Sequence, residues 1–132
     1  MDATTTSMNM EPPIIAQWTF VEEVPVPQDI GAMLVQNEQP YAAFRTYRDT
    51  AIFTNKRLIV RDAKGITGKK VEVYSLPYNA IVMWSSENAG GVLDFNADLE
   101  LWTKAGHVRV KLGQAVDIRR LDSLIAYCVM NG

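Results

Sequence analysis

The sequence predicts a mainly β domain, an antiparallel sheet curled into a bent barrel or sandwich and closed by one C-terminal amphipathic helix. Three observations predict it. Between Pro40 and Leu112, seven short runs rich in β-branched and aromatic residues alternate with turn-forming clusters. From Ile118 to Cys128, apolar residues recur at helical spacing behind an aspartate that can cap them. The chain has 132 residues, 48% hydrophobic and 21% charged, which suits one domain with an ordinary core.

In chain order, residues 1–13 are rich in Thr, Ser and Met and end in Pro12-Pro13, so a mobile tail is expected. Ile14–Val21 reads as a strand or extended arm. Pro25 and Pro27 lack the N–H that a central strand donates, so this strand belongs at an edge or packs elsewhere. Residues 1–27 are therefore read as tail and arm, and 28–132 as the domain. Asp29 is a candidate cap for a short helix over Ile30–Gln36, where Ile30, Met33 and Leu34 form a narrow apolar stripe.

The seven candidate strands are Tyr41–Tyr47, Ala51–Thr54, Arg57–Arg61, Val71–Leu76, Ala80–Ser85, Leu93–Thr103 and His107–Leu112. Asn55-Lys56 marks a hairpin turn by the tolerance of Asn for positive φ, and a further turn is expected between Asp62 and Gly68. In the last hairpin, Leu99, Leu101, Val108, Val110 and Leu112 alternate toward a core. Glu100, Trp102, Arg109 and Lys111 take the wet face, where Trp102 is out of place. The final helix presents Ile118, Leu121, Leu124, Ile125 and Cys128 to the sheet, with Asp117 as its cap.

The chemistry-bearing residues are sparse. The single cysteine, Cys128, allows no internal disulfide, which suits a cytoplasmic protein. The N-terminus lacks the charged and apolar regions of a signal peptide, and no apolar run is long enough for a transmembrane segment. Gly65-Ile-Thr-Gly-Lys69 has two residues between its glycines where a phosphate loop has four. Asp94 to Asp98 resembles the start of a calcium loop, yet Leu99 and Ala105 stand where Gly and Glu are required. His107, the single histidine, is expected to be exposed beside the Ala105-Gly106 turn. Neither catalytic residue, metal site nor cofactor is expected. An enzyme would need a closed pocket joining His107 to a carboxylate.

Charge is unevenly spread. Residues 1–38 hold six acids and no base, while residues 39–71 hold eight bases and two acids. This is read first as compensation within the fold or between subunits. The alternative is an anionic-ligand patch of Arg45, Arg48, Lys56, Arg57, Lys69 and Lys70. A sequence pI near 5.3 argues against nucleic acid as a partner.

Four blocks in order carry a family resemblance: Phe53-Thr-Asn-Lys-Arg-Leu-Ile59, Gly65-Ile-Thr-Gly-Lys-Lys70, Ser75-Leu-Pro-Tyr78 and Asp94 to Trp102. Over about residues 29 to 130 the chain resembles the bacterial pleckstrin-homology domain family. The resemblance implies a bent barrel capped by a helix, and a stand-alone module that assembles into ring-like homo-oligomers. Eukaryotic relatives bind phosphoinositides through basic residues on the first two strands and a long loop. Arg45 and Arg48 lie near that place, but the loop Arg48-Asp49-Thr50 is short and contains an acid, so headgroup binding does not carry over.

Apolar surface is the remaining signal. Ile81-Val-Met-Trp84 is apolar on both faces of its strand. Trp18, Phe20, Met83, Trp84 and Trp102 are the expected contact residues of a self-associating, non-enzymatic module that also offers a surface to a protein partner. The Trp18–Val21 arm is expected to pair with a neighbour's edge strand.

Overall fold

The computed structural model describes residues 13–88, 90 and 97–131. Among these, nine strands form two sheets. Their chain order is β1 (Ile14–Phe20), β2 (Glu22–Val24), β3 (Pro40–Arg45), β4 (Asp49–Thr54), β5 (Arg57–Lys64), β6 (Lys70–Pro77), β7 (Ile81–Glu87), β8 (Ala97–Thr103) and β9 (His107–Leu112), followed by helix α1 (Ile118–Asn131). One sheet has the order β1-β9-β8-β7 and the other β2-β3-β4-β5-β6. Of the tail expected over residues 1–13, residues 1–12 lie outside the described residues, as do residues 93–96 of the strand expected from Leu93.

The arm is the main departure from expectation. Ile14–Phe20 pairs with the chain's own β9, in parallel, and Glu22–Val24 pairs with β3. One continuous segment thus serves as an edge strand of both sheets and stitches that corner of the sandwich shut. Parallel neighbours cannot be joined by a tight turn, so no local pattern announces this pairing. A boundary at residues 27/28 would remove a strand from each sheet. The arm is thus paired within its own chain on one side, and β1 keeps its other edge open.

The core between the sheets contains the inward residues expected of β8 and β9, together with Phe20, Phe44 and Phe53. Phe20 stacks on Phe44 with centroids 5.3 Å apart, and Phe53 meets both rings edge-on. Leu121, Ile125 and Cys128 of α1 close this core, as their spacing predicts. Asp117 caps the helix, its carboxylate accepting the N–H groups of Arg119 and Arg120 at 3.0 and 3.2 Å.

Outside the five-stranded sheet lies a second, smaller core of Ile30, Ala43, Ile52 and Ile59, backed by Val24, Val26, Met33 and Leu34. The short helix expected over Ile30–Gln36 is instead a 3₁₀ segment, Gln28–Met33, with no side-chain cap. Asp29 reaches across to Arg61 Nη1 at 3.0 Å rather than capping.

The Asn55-Lys56 turn joins β4 and β5 where expected, but its basis, and the start of the next turn, differ from expectation. Asn55 does not adopt positive φ; its amide holds the neighbouring loop, accepting from Gln39 N–H at 2.8 Å and donating to Asn37 O at 3.0 Å. Strand β5 continues to Lys64, so the turn is set by Gly65 and Gly68, with φ of 77° and 67°.

Candidate functional site

Strand pairing orders the outer face of the four-stranded sheet into rows. Leu99, Leu101, Val108 and Val110 are buried inward, so their neighbours point outward. Met83 pairs with Trp102, Trp102 with His107, and His107 with Ile14. The next row is Ser85, Glu100, Arg109 and Gln17, and the third is Glu87, Asp98, Lys111 and Thr19. A bulge between Ile81 and Met83 sets Val82 and Met83 together opposite Trp102, with exposures of 65% and 53%. Ile14 is 47% exposed at the other end of the row. Among the described residues this face carries no covering element.

His107 is not exposed as expected. Its side chain is 12% exposed, its ring stacks on Trp102 with centroids 4.8 Å apart, and Nε2 lies 2.7 Å from Glu100 Oε1. Arg109 Nε approaches the same oxygen at 3.4 Å. Histidine and carboxylate do meet, but on an open sheet face rather than in a closed pocket. Cys128 is buried elsewhere, its sulfur 3.8 Å from Thr54 O, and burial pushes its thiol pKa up, which keeps it a poor nucleophile. Burial likewise raises the pKa of Tyr78, whose hydroxyl donates to Thr54 O at 2.6 Å.

The five expected contact residues separate into three groups. Phe20 is fully buried in the chain's own core, so its assignment to an intermolecular contact is corrected. Trp18 and Trp84 are half-buried within the molecule. Trp18 packs edge-on against Tyr74 at 5.5 Å, and Trp84 donates from Nε1 to Asp122 of α1 at 3.3 Å. Met83 and Trp102 do lie side by side on the outer face. Sequence reasoning missed Val82, Ile14 and His107 as their neighbours, because only the bulge and the parallel β1–β9 pairing bring them together.

The expected basic patch is dispersed. Arg45 pairs with Glu22 at 2.8 Å and Arg48 with Asp62 at 3.5 Å. Arg57 is used inside the fold: Nε and Nη2 donate to Glu38 at 2.9 and 3.1 Å, Nη2 to Met33 O at 2.8 Å, and Nη1 to Ser75 Oγ at 2.9 Å. Lys56 sits at one end of β5, and Lys69 and Lys70 lie beyond the other, about 25 Å away by strand rise. The six residues therefore do not form one site. Three acids of the acidic segment pair with the basic one, Glu22 with Arg45, Asp29 with Arg61 and Glu38 with Arg57, while Glu23 pairs with Arg120 of α1. Arg48 and Asp62 also line an open cleft of about 350 Å³ between the sheets, walled by Trp18, Tyr47, Val60 and Tyr74.

Burial works to raise the pKa of Glu38. The hydrogen bonds from Arg57, Thr54 and the Val35 N–H outweigh it and hold the carboxyl at about 2. Among the described residues, no three His, Cys, Asp or Glu side chains converge as a metal site, and no helix is long and apolar enough to cross a membrane.

Residues 10–129 match the sequence profile of the bacterial PH domain. The uncharacterized protein YjqA of Bacillus subtilis strain 168 is 43% identical over 77 residues, 58% of this chain and 61% of YjqA, so the match spans less than two thirds of that relative. The uncharacterized protein YozO of the same organism is 30% identical over 96 residues, 73% of this chain and 82% of YozO. Among solved structures, a DUF1696 family protein with a pleckstrin-homology domain from Shewanella loihica PV-4 superimposes with a TM-score of 0.74 at 35% identity, covering 82% of this chain and 96% of that one. A pleckstrin homology domain from Shewanella amazonensis SB2B gives 0.65 at 36% identity, covering 77% and 93%.

Proposed function

The chain belongs to the bacterial PH domain family, and from that premise we infer that it is a non-catalytic binding module that self-associates into a homo-oligomer. One observation carries this reading. Strand β7 is an unpaired edge of its sheet, as β1 is on the far side, and its outward residues Val82 and Met83 begin a row that runs through Trp102 and His107 to Ile14. An exposed edge strand bearing apolar side chains is a surface that native proteins cover. Buried thiol and phenol groups and a histidine on an open face supply little for catalysis. Sedimentation velocity at micromolar concentration tests the reading. Species larger than a monomer are expected, and Met83→Glu is expected to shift them toward monomer. A wild-type protein that stays monomeric overturns it.

A second reading, binding of an anionic group, draws on the other end of the molecule. There Ile66 stands fully exposed at the tip of a hairpin flanked by Lys64, Lys69 and Lys70, and Arg48 projects from the neighbouring turn. It predicts cosedimentation with vesicles of anionic lipid that weakens as salt rises, and absence of binding at low salt ends it.

A further inference from the structure

Strand β1 has a neighbour on one side only. Phe20 O accepts from Gly113 N–H at 2.9 Å, and in a parallel ladder this parity turns the main-chain groups of Ala16, Trp18 and Phe20 toward β9. Those of Gln17 and Thr19 therefore point out of the free edge. Val21, next in the same parity, donates to Arg45 O at 2.8 Å. Strand β3 ends at Arg45 and the chain turns away into β4, so nothing continues this pairing upstream of Val21. Among the described residues, the N–H and C=O groups of Gln17 and Thr19 have no hydrogen-bond partner.

The open cleft of about 350 Å³ runs along that edge, between residues 16–19 and the groups 46–48, 60–62 and Tyr74. Trp18 faces inward, edge-on to Tyr74. A strand laid along the edge would place the residue opposite Trp18 on the same inward face, in the cleft. Its two sequence neighbours would face outward, beside Gln17 and Thr19.

We propose that the free edge of β1 and this cleft bind an extended peptide segment of a partner protein by antiparallel strand addition. One aromatic or large aliphatic residue fills the cleft, and an acidic residue stands on each side of it. The inference goes beyond the binding-module reading and makes no use of self-association. The outward groups of Gln17 and Thr19 supply the main-chain hydrogen bonds, and the cleft supplies side-chain selection. An apolar anchor suits the cleft because Trp18, Tyr47, Val60 and Tyr74 wall it, while its charged groups are already paired, Arg48 with Asp62 and Arg61 with Asp29 and Asp49. The acidic flanks follow from the outer face, where β9 sets Arg109 beside Gln17 and Lys111 beside Thr19. Arg109 shares Glu100, whereas Lys111 is exposed. The acids Asp98 and Glu100 lie one strand farther from the edge, on β8.

Titration with a blocked pentapeptide, acetyl-Ser-Glu-Phe-Glu-Ser-amide, followed by amide resonances, tests the proposal. Shifts are expected at residues 16–19 and 46–48, with slower exchange of the Gln17 and Thr19 N–H groups. Methylating the main-chain nitrogens of both glutamates removes the donors that face Gln17 and Thr19, and is expected to weaken binding about tenfold or more. Lys111→Glu, a change at an exposed side chain, is expected to weaken the acidic peptide about threefold and to favour acetyl-Ser-Lys-Phe-Lys-Ser-amide by a similar factor. A methylated analogue that binds as well as its parent overturns strand addition. A lysine-flanked peptide that binds the wild type equally overturns the acidic preference. Shifts at residues 16–19 that grow with protein concentration alone assign the edge to a second copy and overturn the partner peptide. Absence of binding at millimolar peptide overturns the whole inference and leaves the self-association reading, which sedimentation decides without the peptide.

Discussion

Glu38 shows how a single buried charge is made tolerable. Its side chain has no solvent exposure, yet it accepts from Thr54 Oγ1 at 2.7 Å, from the Val35 N–H at 3.0 Å and from two nitrogens of Arg57. Removing one partner strands the others, so Glu38→Ala is expected to cost about 3–5 kcal/mol in urea denaturation. The carboxyl is held at about 2 against an ordinary value of 4.5. A depressed folded-state value means stability that is present above pH 4.5 and lost as pH falls toward 2. The loss is on the order of 3 kcal/mol, and it should be missing from the pH dependence of Glu38→Gln. Gly106 is a second decisive residue. Its φ is +150°, and a Cβ there would stand 2.7 Å from Ile15 Cγ2 and 3.1 Å from Pro13 O. Gly106→Ala is expected to loosen β1 first, read as faster amide exchange over Ala16–Phe20 than in β4 and β5.

At the scale of elements, α1 is held by its cap, its stripe and one long-range tie. Arg120 grips Glu23 of β2 with both a 2.7 Å and a 2.5 Å contact, which lowers the pKa of Glu23 and links helix to arm. Asp117→Ala is expected to cost about 1 kcal/mol by leaving two N–H groups uncapped. Thermal unfolding followed by far-ultraviolet circular dichroism checks this, with the fold otherwise unchanged. Asp122 binds Trp84 Nε1 and Ser86 Oγ, so the same helix also covers the inner side of β7. The outer side of β7 is left to Val82 and Met83, and this is why that strand is apolar on both faces.

For the whole molecule, the arm from Ile14 to Val24 decides whether the sandwich closes. It supplies an edge to each sheet and Phe20 to the core. A variant beginning at residue 28 is therefore expected to lose cooperative folding, seen as a collapsed amide spectrum and loss of a sharp thermal transition. A well-folded product would show that the arm is an accessory. Ion pairs from Glu22 and Glu23 of the arm, Asp29 of the 3₁₀ segment and Glu38 to later elements account for much of the uneven charge along the sequence. Three acids of the acidic stretch lie against Arg45, Arg57 and Arg61 of the basic one in space.

The sequence by itself determined the class of fold, the seven later strands, the capped C-terminal helix and the inward alternation of β8 and β9. Each of these depends on neighbours a few residues apart, and a period of two or 3.6 is visible in a single chain. The structure alone decided that β1 runs parallel to β9, that Phe20 and Trp84 turn inward, and that Arg57 belongs to Glu38 rather than to a ligand. Those outcomes are set by partners 19 to 93 residues distant, and no local periodicity encodes such a pairing. The candidate face follows the same division. Met83 and Trp102 stood out as apolar residues where water was expected. Their assembly into one row with Ile14, above an acidic half and a basic half, exists only once the register of four strands is set.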